Sequence, residues 1–152
     1  MKLSGESRLD GRPEEVFGHL LDPEVIKRCI DGCERLELVA PNRYEFTATA
    51  RLGAFRGVFE GVAEVSEIIT PESYRIFASA KSKLGRMEGS ASVRLFEAQG
   101  QTRLHYEGEA RVSGMIAAVG GSMIDLWAKK AVSEVFARLA REIATPAIRP
   151  DE

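Results

Sequence analysis

The hydrophobic pattern of the chain changes period twice, and the changes divide it into elements. From Glu34 to Val112 apolar residues recur at every second position, the period of strands with one buried face. Tyr44, Phe46, Ala48, Ala50 and Leu52 alternate with Glu45, Thr47, Thr49 and Arg51, the clearest strand in the sequence. Phe55 to Val65, Tyr74 to Ala80, Met87 to Leu95 and Leu104 to Val112 repeat the alternation, and Leu36 and Leu38 mark a shorter strand before them. Pro41-Asn42, Gly53-Ala54, Thr70-Pro71-Glu72, Lys83 to Arg86 and Ala98 to Gln101 separate the rows as turns. Strands joined by turns this short are antiparallel neighbours.

Before these rows, Lys2 to Leu9 alternates weakly and predicts a first strand, ended by Asp10-Gly11. Pro13 suits the first turn of a helix, followed by Glu14 and Glu15 near its positive end and by the apolar Val16, Phe17, Leu20 and Leu21. Asp22-Pro23 stops that helix and starts a second short one, which buries Val25, Ile26 and Cys29 and ends at Gly32. From Gly114 to Ala144 the period becomes helical. Ile116, Val119, Met123, Ile124, Trp127, Ala131, Val135, Phe136, Leu139 and Ile143 share one face, largely opposite Asp125, Lys129, Lys130, Arg138 and Arg141. The expectation is an α+β fold of one domain over residues 1–144. A seven-stranded curved antiparallel sheet wraps around a long C-terminal helix, with two short helices after the first strand. Residues 145–152, TPAIRPDE, are expected to form a flexible tail.

The inward rows predict a cavity. They are small in their middles, with Ala48, Ala50, Gly57, Gly61, Ala63, Ala78, Ala80, Gly89, Ala91, Gly108 and Ala110. Small residues permit strong curvature and close approach of a helix, which accounts for many of them. Five consecutive rows of this kind nevertheless leave an interior that is hard to fill at native density. The remaining space would be apolar and rimmed by Phe55, Phe59, Tyr74, Met87, Met123 and Trp127, a pocket for a flat or long hydrophobic molecule. Gly120-Gly121, within the predicted helix, has readings that the sequence leaves open: a kink or room for something beside the helix, or close approach of a strand.

Composition narrows the function classes. The chain has 152 residues, 21 Lys and Arg against 23 Asp and Glu, and only two cysteines and two histidines. No overall field draws it toward nucleic acid, which is not an expected partner. No stretch reaches the length of a membrane span, and MKLSGESRLDGR lacks the apolar core of a signal peptide, so a cytoplasmic location is expected. Cys29 and Cys33 could bridge in an oxidising compartment, but in a reducing one they are small buried hydrophobes. No metal or cofactor is expected, since a structural zinc site wants four closely spaced ligands and His105 belongs to a distant strand.

Catalytic signatures are missing as well. Glu60, Glu64, Glu107 and Glu109 alternate onto the solvent face together with His105, and His19 takes a surface position on the first helix. No nucleophile elbow, phosphate loop or dinucleotide fingerprint occurs. Tyr44, Tyr74 and Tyr106 lie on inward rows and could polarise a carbonyl, although such rings are more often packed with the hydroxyl at the rim. Lys81, Lys83 and Arg86 share one connection and could touch lipid head groups or an acidic partner, though a solvated loop is the commoner reason for such a run.

Local strings carry a resemblance. MKLSGE at Met1 to Glu6, DPEVIKRCI at Asp22 to Ile30, Gly32-Cys33-Glu34, GSASVRL at Gly89 to Leu95, TRLHY at Thr102 to Tyr106, the Gly-rich Gly114 to Ile124 and the Phe136 region are similar to the CoxG subunit of carbon monoxide dehydrogenase, the CoxG family. The element order resembles the helix-grip fold of the START-like superfamily. The resemblance implies a non-enzymatic accessory of a molybdenum hydroxylase of the CO dehydrogenase type. Such a protein would carry a quinone, fatty acid or similar molecule, and would engage a redox enzyme and the inner membrane. Its ligand site would draw on Phe55, Phe59, Tyr74, Met87, Tyr106, Gly120, Gly121, Met123 and Trp127, with no catalytic residue. The alternative is a cyclase- or hydrolase-type enzyme of the same fold that uses an inward Tyr. Asp31 stands where the family commonly has Pro between the cysteines, so a less rigid loop is expected there. Longer members continue to a membrane-anchoring segment; here any membrane contact is expected to be transient.

Overall fold

The computed structural model describes residues 1–144, so the tail expected over 145–152 lies outside the described residues. In chain order the elements are β1 (Lys2–Asp10), α1 (Pro13–Leu21), α2 (Pro23–Cys29), β2 (Cys33–Ala40), β3 (Arg43–Leu52), β4 (Phe55–Ile69), β5 (Ser73–Ser82), β6 (Gly85–Ala98), β7 (Gln101–Ser113) and α3 (Gly121–Ala144). The seven strands form one antiparallel sheet in the order β1-β7-β6-β5-β4-β3-β2. Only β1 departs from a simple meander, returning to pair with β7 from Lys2↔Glu109 to Asp10↔Gln101. The backbone of α3 comes close to α2, to the edge strand β1 and to β3 near the other edge, so the sheet grips the helix from both sides.

The two short helices follow from their punctuation. Pro13 and Pro23 occupy first-turn positions, where a missing N–H leaves no bond unmade. Asp22 closes α1 and caps α2, its carboxylate accepting from the Glu24 N–H at 3.0 Å. Arg28 Nη2 then ties α2 to α3 through Glu142 Oε1 at 2.6 Å.

The core has two parts. One gathers Leu9, Val16, Phe17, Val25, Cys29, Val65, Tyr74, Val93, Leu95, Leu104 and Leu139 under α1, α2 and the C-terminal half of α3. The other gathers Leu52, Phe59, Ile116 and Ile124 under the start of α3. Between them the register aligns Ala63, Ala78, Gly89 and Ala110 in one row across four strands. Alternation placed the large residues at the strand ends, and these build the two cores; the small row spans the gap.

One boundary differs from the sequence reading. The predicted helix over Gly114 to Ala144 is two pieces, a 3-10 segment at Met115–Val119 and α3 from Gly121. Gly114 (φ 86°, ψ −159°) and Gly120 (φ 97°, ψ 153°) take backbone conformations open essentially to glycine alone, so the chain turns at each. The Gly120 carbonyl accepts from the Ile124 N–H at 3.1 Å and so opens the first turn of α3.

Candidate functional site

Where the two cores part, a cavity of about 920 Å³ opens between α3 and the sheet. A lobe of about 220 Å³ extends it toward β1, sharing Ala78, Gly89 and Ala110 with the main chamber. The cavity is open to solvent on one side, so water or a ligand can enter it. Its volume lies within the range of small-molecule pockets.

Each wall has its own origin. The sheet supplies Phe46, Ala48, Ala50, Phe59, Ala78, Ala80, Met87 and Val112 from inward positions of β3 to β7. The helix supplies Trp127, Ala131 and Val135, one turn apart on one face. The loop from Ile30 to Cys33 closes a third side. It is pinned to β3 by the Thr49 N–H, which donates to the Gly32 carbonyl at 2.9 Å. Gly32 has a φ of 80°, and a Cβ there would run into the Thr49 carbonyl, so the loop can lie this close only with glycine.

Most of the charge in the lining is exposed: Arg51, Arg56, Arg111, Lys130, Asp31 and Glu34, with Glu88 and Glu134 half-buried. Arg138 Nη2 meets Asp31 Oδ1 at 3.6 Å and Arg111 Nε meets Glu88 Oε1 at 3.8 Å, so part of this charge is already paired. Apolar walls with a charged, hydrated mouth favour a molecule with a hydrophobic body over a charged one. Cys33 is on the wall, and burial pushes its thiol above the ordinary value, so it stays protonated beside whatever the cavity holds.

The sequence-predicted site residues divide. Phe59, Met87 and Trp127 line the main chamber, and Tyr106 lines the smaller lobe. Tyr74 stands on an inward row but beyond the cavity, buried with its ring edge-on to Phe17 at 5.7 Å. Phe55, half-buried at the β3–β4 turn, is outside the lining. Met123 is 44% exposed and faces Gly53 on the outside. Gly120 and Gly121 are exposed, and a Cβ on either would meet nothing within 4 Å. Of the open readings, the kink describes Gly120, where the chain turns into α3; neither glycine lines the cavity, and no strand atom comes within 4 Å of a Cβ on either.

Two of the small positions are filled by neighbours. The Leu84 side chain occupies the space over Gly57, and Phe46 that over Gly61. The Ile30 to Glu34 loop and the helical residues Ala128, Lys130, Ala131, Glu134 and Val135 went unassigned in the sequence reading. For two of the helical ones a signal was present, since Ala131 and Val135 follow the i, i+4 spacing from Trp127.

The inward tyrosines are engaged in packing. The Tyr44 hydroxyl donates to the Leu21 carbonyl at 2.7 Å, and burial raises its pKa, as it does for Tyr74. The Tyr106 ring stacks on Phe136 at 5.3 Å. Among the described residues no group of three or more His, Cys, Asp and Glu is arranged to hold a metal ion. Nor is any helix among them long and apolar enough to cross a membrane.

The comparisons with known proteins agree with this geometry. The family model for the CoxG subunit of carbon monoxide dehydrogenase matches residues 5–144. A crystal structure of a conserved protein from Geobacillus kaustophilus is 30% identical with a TM-score of 0.90, covering 95% of each chain. A Thermus thermophilus protein has a TM-score of 0.71 at 16% identity, covering 95% of this chain and 97% of that one. A START superfamily protein from Mycobacterium smegmatis has a TM-score of 0.69 at 14% identity, covering 94% and 97%. The fold is START-like, as the element order predicts. No curated protein matches the chain.

Proposed function

The chain belongs to the CoxG family of carbon monoxide dehydrogenase subunits, and from that premise we propose that its cavity binds a hydrophobic small molecule of quinone or lipid type. The protein carries or presents this molecule to a redox partner, a molybdenum hydroxylase of the CO dehydrogenase type. Phe59, Met87, Trp127 and Tyr106 are the side chains we assign to the ligand. A cytoplasmic location, with transient contact with the membrane that stores such molecules, is part of this reading.

The observation that carries it is the interruption of the core. Ala63, Ala78, Gly89 and Ala110 stand in one row where larger apolar residues would have joined the two clusters. A chain selected only for stability would fill that row, because each buried methylene contributes about 0.8 kcal/mol.

Mass spectrometry of an organic extract of the purified protein tests the reading. A quinone or lipid retained in a stoichiometric amount is the expected result. An extract without such a molecule, from protein that also fails to take up added quinone or fatty acid, would defeat it.

A further inference from the structure

The sheet has two edges, and they are covered differently. β1 runs beside α3, whereas β2, at the other edge, has no strand on its outer side among the described residues. Unpaired N–H and C=O groups along an edge are a template for a further strand, and proteins commonly guard them with Lys or Pro. β2 reads CERLELVA and has neither. Leu38 is 53% exposed and Val39 44% exposed, so the strand also leaves apolar surface open. Register shifts at its two ends leave a regular run from Arg35 to Leu38.

That run is complementary to itself. Leu36 and Leu38 stand opposite Phe46 and Tyr44 on the inward face, while Arg35 and Glu37 stand opposite Thr47 and Glu45 on the outward face. Antiparallel pairing with β2 of a second copy, about a two-fold axis at Leu36, sets each Arg35 opposite Glu37 of the other copy and Leu36 opposite Leu36. Leu38 then lies diagonal to Leu36 of the other copy, within side-chain reach. An axis at Arg35 or at Glu37 would set like charges against each other, and a slip of one residue would set leucines against charges. Only the register about Leu36 satisfies both faces. Within one copy the outward charge is out of balance: Glu37 and Glu45 face each other in register, and both reach Arg35, at 3.2 and 3.7 Å. Facing carboxylates are unfavourable, and a second guanidinium relieves them.

We infer that two copies of this chain associate through β2 in this register, joining their sheets edge to edge. The axis is perpendicular to the joined sheet, so both helices and both cavities stay on its same side. One short strand from each copy makes a small contact, so the dimer is reversible and depends on concentration. The inference stands apart from the carrier function, since neither the ligand nor the redox partner enters it.

Sedimentation velocity of the full chain, from micromolar to millimolar concentration, is the test. The parent protein should pass from monomer to dimer over that range. Arg35→Glu and Glu37→Arg each set like charges across both outward pairs, so either alone should weaken association more than about tenfold. An equimolar mixture of the two variants has opposite charges at both pairs again and should form a heterodimer about as readily as the parent dimerises. The double variant, with both changes in one chain, reverses each pair without losing complementarity and should dimerise like the parent, which separates lost pairing from lost folding. A parent that stays monomeric at millimolar concentration would overturn the inference, as would a dimer that neither single variant weakens. Failure of both the mixture and the double variant to restore association would overturn it too.

Discussion

Gly5 and Tyr106 face each other across the β1–β7 ladder, and a Cβ built on Gly5 would lie 2.7 Å from the Tyr106 hydroxyl oxygen. The Tyr106 ring therefore lies flat over the Gly5 backbone, with Phe136 stacked against it at 5.3 Å. This sandwich closes the end of the smaller lobe and marks where the cavity stops and the larger core begins.

Adding one methyl group at Gly5 should disturb that arrangement. Gly5→Ala forces the ring away and should destabilise the protein by about 1–3 kcal/mol. In a Tyr106→Leu background the same change should cost less than half as much, a coupling of about 1 kcal/mol. Denaturant unfolding of the four proteins checks this; additive effects would show that ring and glycine do not share the space.

The neighbouring glycines at the start of α3 should respond in opposite directions. Gly120→Ala meets no atom but needs a φ near 97°, so it should destabilise by about 1–3 kcal/mol. Gly121→Ala has free space and only stiffens the unfolded chain, so it should stabilise by about 0.4–1 kcal/mol. Thermal melts of the two single variants suffice. Equal shifts of one sign would refute the assignment of Gly120 as the turn residue.

These glycines also show how far a sequence can be read. Period-two alternation tells which side of the sheet a residue occupies, and the inward rows from Tyr44 to Val112 emerged correctly from it. It does not tell how far along the strand the helix lies. Tyr74 therefore shares the inward parity of Ala78 yet ends in the core beside Phe17, and Phe55 falls at a turn outside the cavity. Helical periodicity likewise passed over the break at Gly120, because Ile116 and Ile124 are buried on both sides of it. Met123 counted as core on that extrapolated face, and the turn sets it outside. The Ile30 to Glu34 wall had only Gly32 to announce it, since its contact with Thr49 is a tertiary one.

Stability should fall on the alkaline side in two stages. Burial raises the thiols of Cys29 and Cys33 above their ordinary 9.0, and the phenols of Tyr44 and Tyr74 above their ordinary 10.0. The folded state therefore keeps these protons after the unfolded chain has released them. Stability is full below about pH 9 and declines above it, first through the cysteines and beyond about pH 10 through the tyrosines. Replacing both cysteines by Ala should delay the onset toward about pH 10 in melts run across that range. An unmoved onset would exclude the thiols as its cause.

The most direct test of a ligand-holding cavity uses Trp127, the only tryptophan of the chain, which stands on its wall. A short-chain quinone titrated into the protein should quench its fluorescence saturably. Ala78→Leu places a larger side chain in the row shared by both lobes, between the two core clusters. The variant should keep or raise its melting temperature and bind with a Kd weakened more than tenfold, equivalent to about 1.4 kcal/mol. Quenching that does not saturate in the parent protein, or an Ala78→Leu variant that binds with the parent Kd, would contradict a ligand-holding cavity.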